Sequence, residues 1–165
     1  MKKSIVTKLL IALGLFLFIG NTAVAQHKYI GAMKCKMCHN KPDKGEQYNK
    51  WLAGPHAKAM ESLTGEDATN PDCLKCHATF HAVDAGLRMS IKADEGVSCE
   101  SCHGPGSVYK SMSIMKDHEK SLANGLIMPT EEVCITCHNS ESPTFKGFNY
   151  EEYVAKISHD DPTTN

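Results

Sequence analysis

Four pentapeptides constrain this chain more than anything else in it: Cys35-Lys36-Met37-Cys38-His39, Cys73-Leu74-Lys75-Cys76-His77, Cys99-Glu100-Ser101-Cys102-His103 and Cys134-Ile135-Thr136-Cys137-His138. Each reads C-x-x-C-H, and the spacing has a chemical reason. Cysteines three apart lie on one side of a helical turn, where both sulfurs reach the two vinyl groups of one porphyrin. The histidine that follows then points its imidazole at the iron, which is the pattern of c-type haem attachment. All eight cysteines are consumed by these motifs. Paired C-x-x-C units also build four-cysteine zinc sites, or disulfides in exported proteins. Neither of those uses calls for a histidine after every second cysteine, and here one follows all four pairs. Four covalently bound haem c groups are therefore expected, with His39, His77, His103 and His138 as proximal iron ligands.

The start of the chain agrees with this chemistry. Lys2, Lys3 and Lys8 give a basic beginning, Leu9 to Gly20 an apolar run, and Ala23-Val24-Ala25 a small-residue cleavage site before Gln26. Residues 1–25 are expected to be a cleaved signal peptide. The run is shorter than the roughly 20 residues needed to span a bilayer, so no membrane span is expected after cleavage. Export to the periplasm suits haem attachment, which takes place outside the bacterial inner membrane. Residues 26–165 are expected to form a single tetrahaem domain. Losing the three leader lysines leaves 15 Lys+Arg against 19 Asp+Glu, a formal charge of −4. With no long basic run, nucleic-acid binding is excluded as a reading.

Much of the 41% hydrophobic content belongs to the leader, so the remaining chain is poor in aliphatic side chains and needs the porphyrins as its apolar interior. Motif starts at 35, 73, 99 and 134 are unevenly spaced, which argues against a strict repeat. Asp43 with Glu46 reads as a capping pattern opening a helix through Trp51, and Pro55 as the first turn of another reaching Leu63. Thr64 to Pro71 reads as a polar connection. A helix is expected from Ser107 to Leu122, a turn at Asn124-Gly125, and a last helix from Tyr150 to Ser158 capped by Asn149 with Glu152. Alternating strand patterns are scarce. The expected fold is mainly α and loop-rich, with short helices packed around four haems.

Five histidines remain for the opposite faces of the irons. His56, beside Trp51 and at the predicted helix start, is the first choice as a distal ligand, followed by His118 and His159. His81, four residues beyond His77, starts on the proximal side of its own haem and serves another iron or the surface. His27 folds back, reaches a neighbouring molecule or belongs to a frayed terminus. Seven methionines survive removal of the leader and are better read as packing around haems than as ligands. Mostly bis-histidine ligation implies low potentials, since replacing one histidine by methionine raises them.

Beyond the bare motifs, four stretches resemble the tetrahaem cytochromes of the cytochrome c-554 type. Pro55 to Leu63 resembles the distal-histidine helix of that family, and Gly96 to Gly106 its third-haem segment. Asp72 to His77 is similar to its second-haem segment, and Cys137-His138-Asn139 with the C-terminal helix to its fourth-haem region. The resemblance implies an electron-transfer protein with haems in stacked pairs. It also implies that His56 serves haem 3, His118 haem 1 and His159 haem 4, and that haem 2 lacks a strong distal ligand. This chain is shorter than that pattern, places His118 further from its motif, and has a histidine at 81 where the pattern has none.

The leading reading is a periplasmic carrier that passes single electrons through four haems to and from transient redox-protein partners. No nucleophile and base or hydride-cofactor motif competes, so enzymatic activity is the lesser reading. In its specific form, a five-coordinate haem 2 binds or reduces nitric oxide or another small nitrogen oxide. A third reading is a polymeric haem wire in which His27 completes a haem of the next subunit.

Overall fold

Local sequence keeps every helix among the described residues short. The structure, a computed structural model, describes residues 26–162, so the expected leader lies outside the described residues. Its α-helices are α1 (Ala32–His39), α2 (Gln47–Ala53), α3 (Pro71–His77), α4 (Thr79–Ala82), α5 (Cys99–His103), α6 (Met112–Met115), α7 (His118–Ala123), α8 (Glu131–Ile135) and α9 (Tyr150–Ile157). Single 3₁₀ turns lie at Pro42–Lys44, Ala59–Ser62, Gly65–Ala68 and Ala85–Leu87. Among the described residues there is no strand, only a parallel bridge between Tyr29 and Arg88. The mainly α, loop-rich architecture is thus as expected.

Several local expectations change in detail. Asp43 caps nothing; it lies inside a 3₁₀ turn, and α2 begins only after Glu46, whose φ of 52° is left-handed. Pro55 opens a turn followed by the 3₁₀ segment Ala59–Ser62 rather than an α-helix. The span expected as a helix from Ser107 to Leu122 starts as a run of turns, becomes helical only at Met112, and is broken again where the Asp117 side chain accepts from Lys120 N–H and starts a new helix. Asn149 caps α9 as expected, accepting from Glu152 N–H at 3.1 Å.

Three of the motifs end a helix at their histidine: α1 at His39, α3 at His77 and α5 at His103. The fourth runs past the end of α8, yet its His138 N–H still bonds Cys134 C=O at 3.0 Å, which keeps the helical turn. All four motifs therefore hold both sulfurs and the imidazole on one turn.

A buried carboxylate ties the first motif to the third. Glu100, only 1% exposed, accepts from Ile30 N–H (3.0 and 2.9 Å), Gly31 N–H (2.7 Å) and Gly106 N–H (2.6 Å). Burial pushes its pKa up, and the backbone donors of Gly106, Ile30 and Gly31 pull it back down. Glu95 accepts from the next donor, Ala32 N–H, at 2.9 Å. These carboxylates take the place of a side-chain cap at the start of α1, which has Gly31 as its N-cap. Leaving the three donors without Glu100 would cost about 1–3 kcal/mol for each unsatisfied group. Thr79 ties α4 to the third motif in the same way, taking Ser98 N–H at 2.7 Å and bonding Ser101 Oγ at 2.5 Å.

The apolar core of the described residues is small: Ile30, Ala32, Tyr48, Leu74, Ala78, Ile91 and Tyr109. Large apolar side chains stand outside it, with Met37 69% exposed, Met112 62% and Met89 57%. A chain this size rarely leaves so much sulfur and hydrocarbon uncovered unless something else packs on it.

Candidate functional site

The four attachment turns are brought together in a definite order. Helix α1 packs on α5, and α5 packs on α8. Their cysteines follow suit. Cys35 and Cys99 hydrogen-bond through their side chains, this contact and then burial pushing the Cys99 thiol up, while burial and then the neighbouring Cys134 raise Cys102. Cys76 lies against Cys137, its thiol pushed up to about 11, chiefly by burial. Lys75 Nζ pairs with Glu141 at 3.2 Å across the same junction, an exposed bridge that solvent screens. The turns thus run first, third, fourth, second.

Two histidine pairs face one another. The ring centres of His56 and His138 are 6.1 Å apart, and those of His103 and His159 are also 6.1 Å apart. A metal held by two imidazoles has each nitrogen about 2 Å away and each ring centre about 1 Å further, or about 6 Å between ring centres. Both gaps therefore fit one six-coordinate iron. This exchanges the partners implied by the resemblance: His56 stands opposite the fourth motif rather than the third, and His159 opposite the third rather than the fourth. The physical reason is long-range. The His56 carbonyl accepts from Val97 N–H at 2.9 Å, and Trp51 Nε1 donates to Val97 C=O at 2.8 Å. Gly96, at φ 68°, lets that strap approach, since a Cβ there would lie 2.6 Å from the His56 carbonyl.

Ring orientation and charge state also suit metal ligation. Nδ1 of His77 donates to Ala59 C=O (2.8 Å), Nδ1 of His103 to Ile127 C=O (3.2 Å) and Nδ1 of His159 to Ile157 C=O (2.9 Å). A carbonyl on Nδ1 fixes the tautomer that leaves Nε2 free to ligate. Burial lowers the pKa of His56, His103 and His138, which holds them in the neutral form a ligand requires. Phe148 stacks on His138 at 4.9 Å, a contact that sequence reasoning missed because it lies ten residues from the motif. Among the described residues no group of three or more His, Cys, Asp or Glu converges on one metal position.

The other histidines are not brought onto a motif histidine by any ring contact among the described residues. His118 is exposed at the start of α7, and His81 lies edge-on to Phe80 at 5.2 Å. His27 is half-buried against Gly125 of its own chain, where a Cβ would collide with His27 Nδ1. That inward packing lends no support to a wire completed by His27 in the next subunit.

The family described as cytochrome c554 and c-prime matches residues 34–104. Cytochrome c-554 of Nitrosomonas europaea is 32% identical over 169 residues, covering 84% of this chain and 70% of that protein. The solved reduced state of cytochrome c554 from Nitrosomonas europaea superposes with a TM-score of 0.51 at 27% identity, covering 81% of this chain and 79% of that one.

Proposed function

Since this chain belongs to the cytochrome c-554 family and is a haem electron-transfer protein with four covalently bound c-type haems, we propose that it is an exported, periplasmic relay. Haem iron supplies one-electron exchange between ferric and ferrous states. The polypeptide attaches each group by two cysteines and a histidine, orients the imidazoles through backbone carbonyls, and shields them from water.

The observation that carries this reading is the order of the attachment turns. It supports a single path from the first motif through the third and fourth to the second, with redox proteins met transiently at either end. His56 and His159 are proposed as the distal ligands facing His138 and His103. For the irons of the first and second motifs, His118, His27 and His81 are the remaining histidine donors. No helix among the described residues is long and apolar enough to cross a membrane.

A second reading keeps its place because, among the described residues, His39 and His77 have no histidine ring opposite them as His103 and His138 do. An iron left open there would bind nitric oxide or another small nitrogen oxide, or reduce it with electrons passed on from the neighbouring ferrous haems. Carbon monoxide titration of the reduced holoprotein tests both readings. Haems 3 and 4 are expected to stay unchanged, with any ligand-induced change confined to haems 1 and 2. Four irons indifferent to carbon monoxide would remove the enzymatic reading, and binding at haem 3 or 4 would overturn the proposed ligand pairs.

A further inference from the structure

We propose that the end of the molecule built around the first motif is a docking face for an acidic redox protein. This rests on the relay reading and adds where a partner lands and what charge it carries. Residues 26–60 hold seven lysines against Asp43 and Glu46, whereas residues 61–162 hold eight basic side chains against seventeen acidic ones. A chain with a modest overall charge is thus strongly divided.

The fold turns that division into a spatial one. Lys34 and Lys36 lie on α1, Lys41 in the link that follows, and Lys50 on α2, which packs directly on α1. Tyr48 Oη meets Met33 Sδ at 3.3 Å, and Lys36 Nζ stands 5.3 Å from the Tyr48 ring centre. Lys34, Lys41 and Lys50 are exposed, and none of the four lysines joins an ion pair among the described residues; the pairs are made by Lys75, Lys120 and Lys156. Glu95 and Glu100 are committed to backbone N–H groups at the start of α1, and Glu46, within the stretch itself, accepts from Asn49 Nδ2 at 3.0 Å.

The opposite end of the order carries the other sign. Asp72 lies on α3, Glu141 reaches Lys75 of the same helix, and Glu131 and Glu132 open α8. A negatively charged partner is therefore drawn toward the first haem and repelled from the second. Steering of this kind raises association rates by about 10- to 1000-fold and fades as salt shortens the Debye length below about 10 Å.

The test uses the oxidised holoprotein and a reduced plant-type ferredoxin, an acidic one-electron protein. One electron leaves the [2Fe–2S] cluster and converts one ferric haem to ferrous. At low ionic strength the second-order rate is expected to fall by about tenfold or more in a combined Lys34→Gln, Lys36→Gln, Lys41→Gln, Lys50→Gln variant, with a flatter salt dependence. A Glu131→Gln, Glu132→Gln control is expected to remain within about twofold of the parent. Dithionite, which needs no docking face, is to reduce parent and variants to the same extent, showing that folding and the haems are intact. An unchanged rate and salt slope in the lysine variant would overturn the docking proposal while leaving the relay standing. Failure of ferredoxin to reduce a parent protein that dithionite does reduce would likewise overturn the docking proposal, whereas failure of dithionite to reduce even the parent would instead defeat the relay. Lysine-dependent binding to phosphatidylserine vesicles, with no effect on the ferredoxin rate, would overturn the proposal in favour of a lipid surface.

Discussion

Chain deprived of haem, with all eight cysteines replaced by serine, is expected to lose its far-ultraviolet helical signal and to show no cooperative melting. The longest described helices have eight residues, α1 and α9, and isolated helices shorter than about 12–15 residues are marginal in water. Packing must therefore stabilise them, and the protein's own core offers little: Ile30, Leu74, Ile91 and two tyrosines with two alanines. Met37, Met89, Met112, Ile135 and Leu52 stay substantially exposed on the polypeptide alone. Porphyrin faces packed on them would supply the missing apolar contact, so folding is expected to require attached haem, much as some small domains fold only around a metal. Circular dichroism with a thermal scan decides this. A haem-free chain that melts cooperatively near the temperature of the holoprotein would contradict it.

Replacement of His56 by methionine is expected to raise the potential of a single haem, the one attached through Cys134 and Cys137, by on the order of 100 mV or more within the ~0.8 V that axial ligands span. The reason lies in the 6.1 Å pairing of His56 with His138. His56→Ala is expected to open the same iron to carbon monoxide, and His159→Ala the iron of the third motif, whose His103 it faces at the same separation. Spectropotentiometric titration reads the first effect and a carbon monoxide difference spectrum the second. A His56→Met protein whose altered haem proves to be the one anchored at Cys99 and Cys102 would restore the pairing that the family resemblance implied.

The contrast between what the sequence disclosed and what it hid has a physical basis. C-x-x-C-H is a local signal, complete within five residues, and it was enough to point to c-type haem as the cofactor. Asn149 was legible for the same reason, since a cap acts within three residues. Pro55 was misread because helix propensity is weak against tertiary constraint: the His56 carbonyl is claimed by Val97, about forty residues on, and the segment remains a turn. That same contact aims His56 at the fourth motif, which no local pattern announces. Glu100 likewise looked like an ordinary variable position inside its motif, whereas its carboxylate is buried on the donors of Ile30 and Gly31, some seventy residues away. The charge division was present in the residue counts, and became meaningful only once α1 and α2 were seen to pack together.

Everything depends on porphyrins being bonded at all four turns of the folded chain. An alkaline pyridine spectrum of the purified, fully matured protein, set against its peptide concentration, measures this directly. Four haems per chain is the expected result, one for each Cys-Cys-His set; three or fewer would break the path between the first motif and the second and contradict the relay.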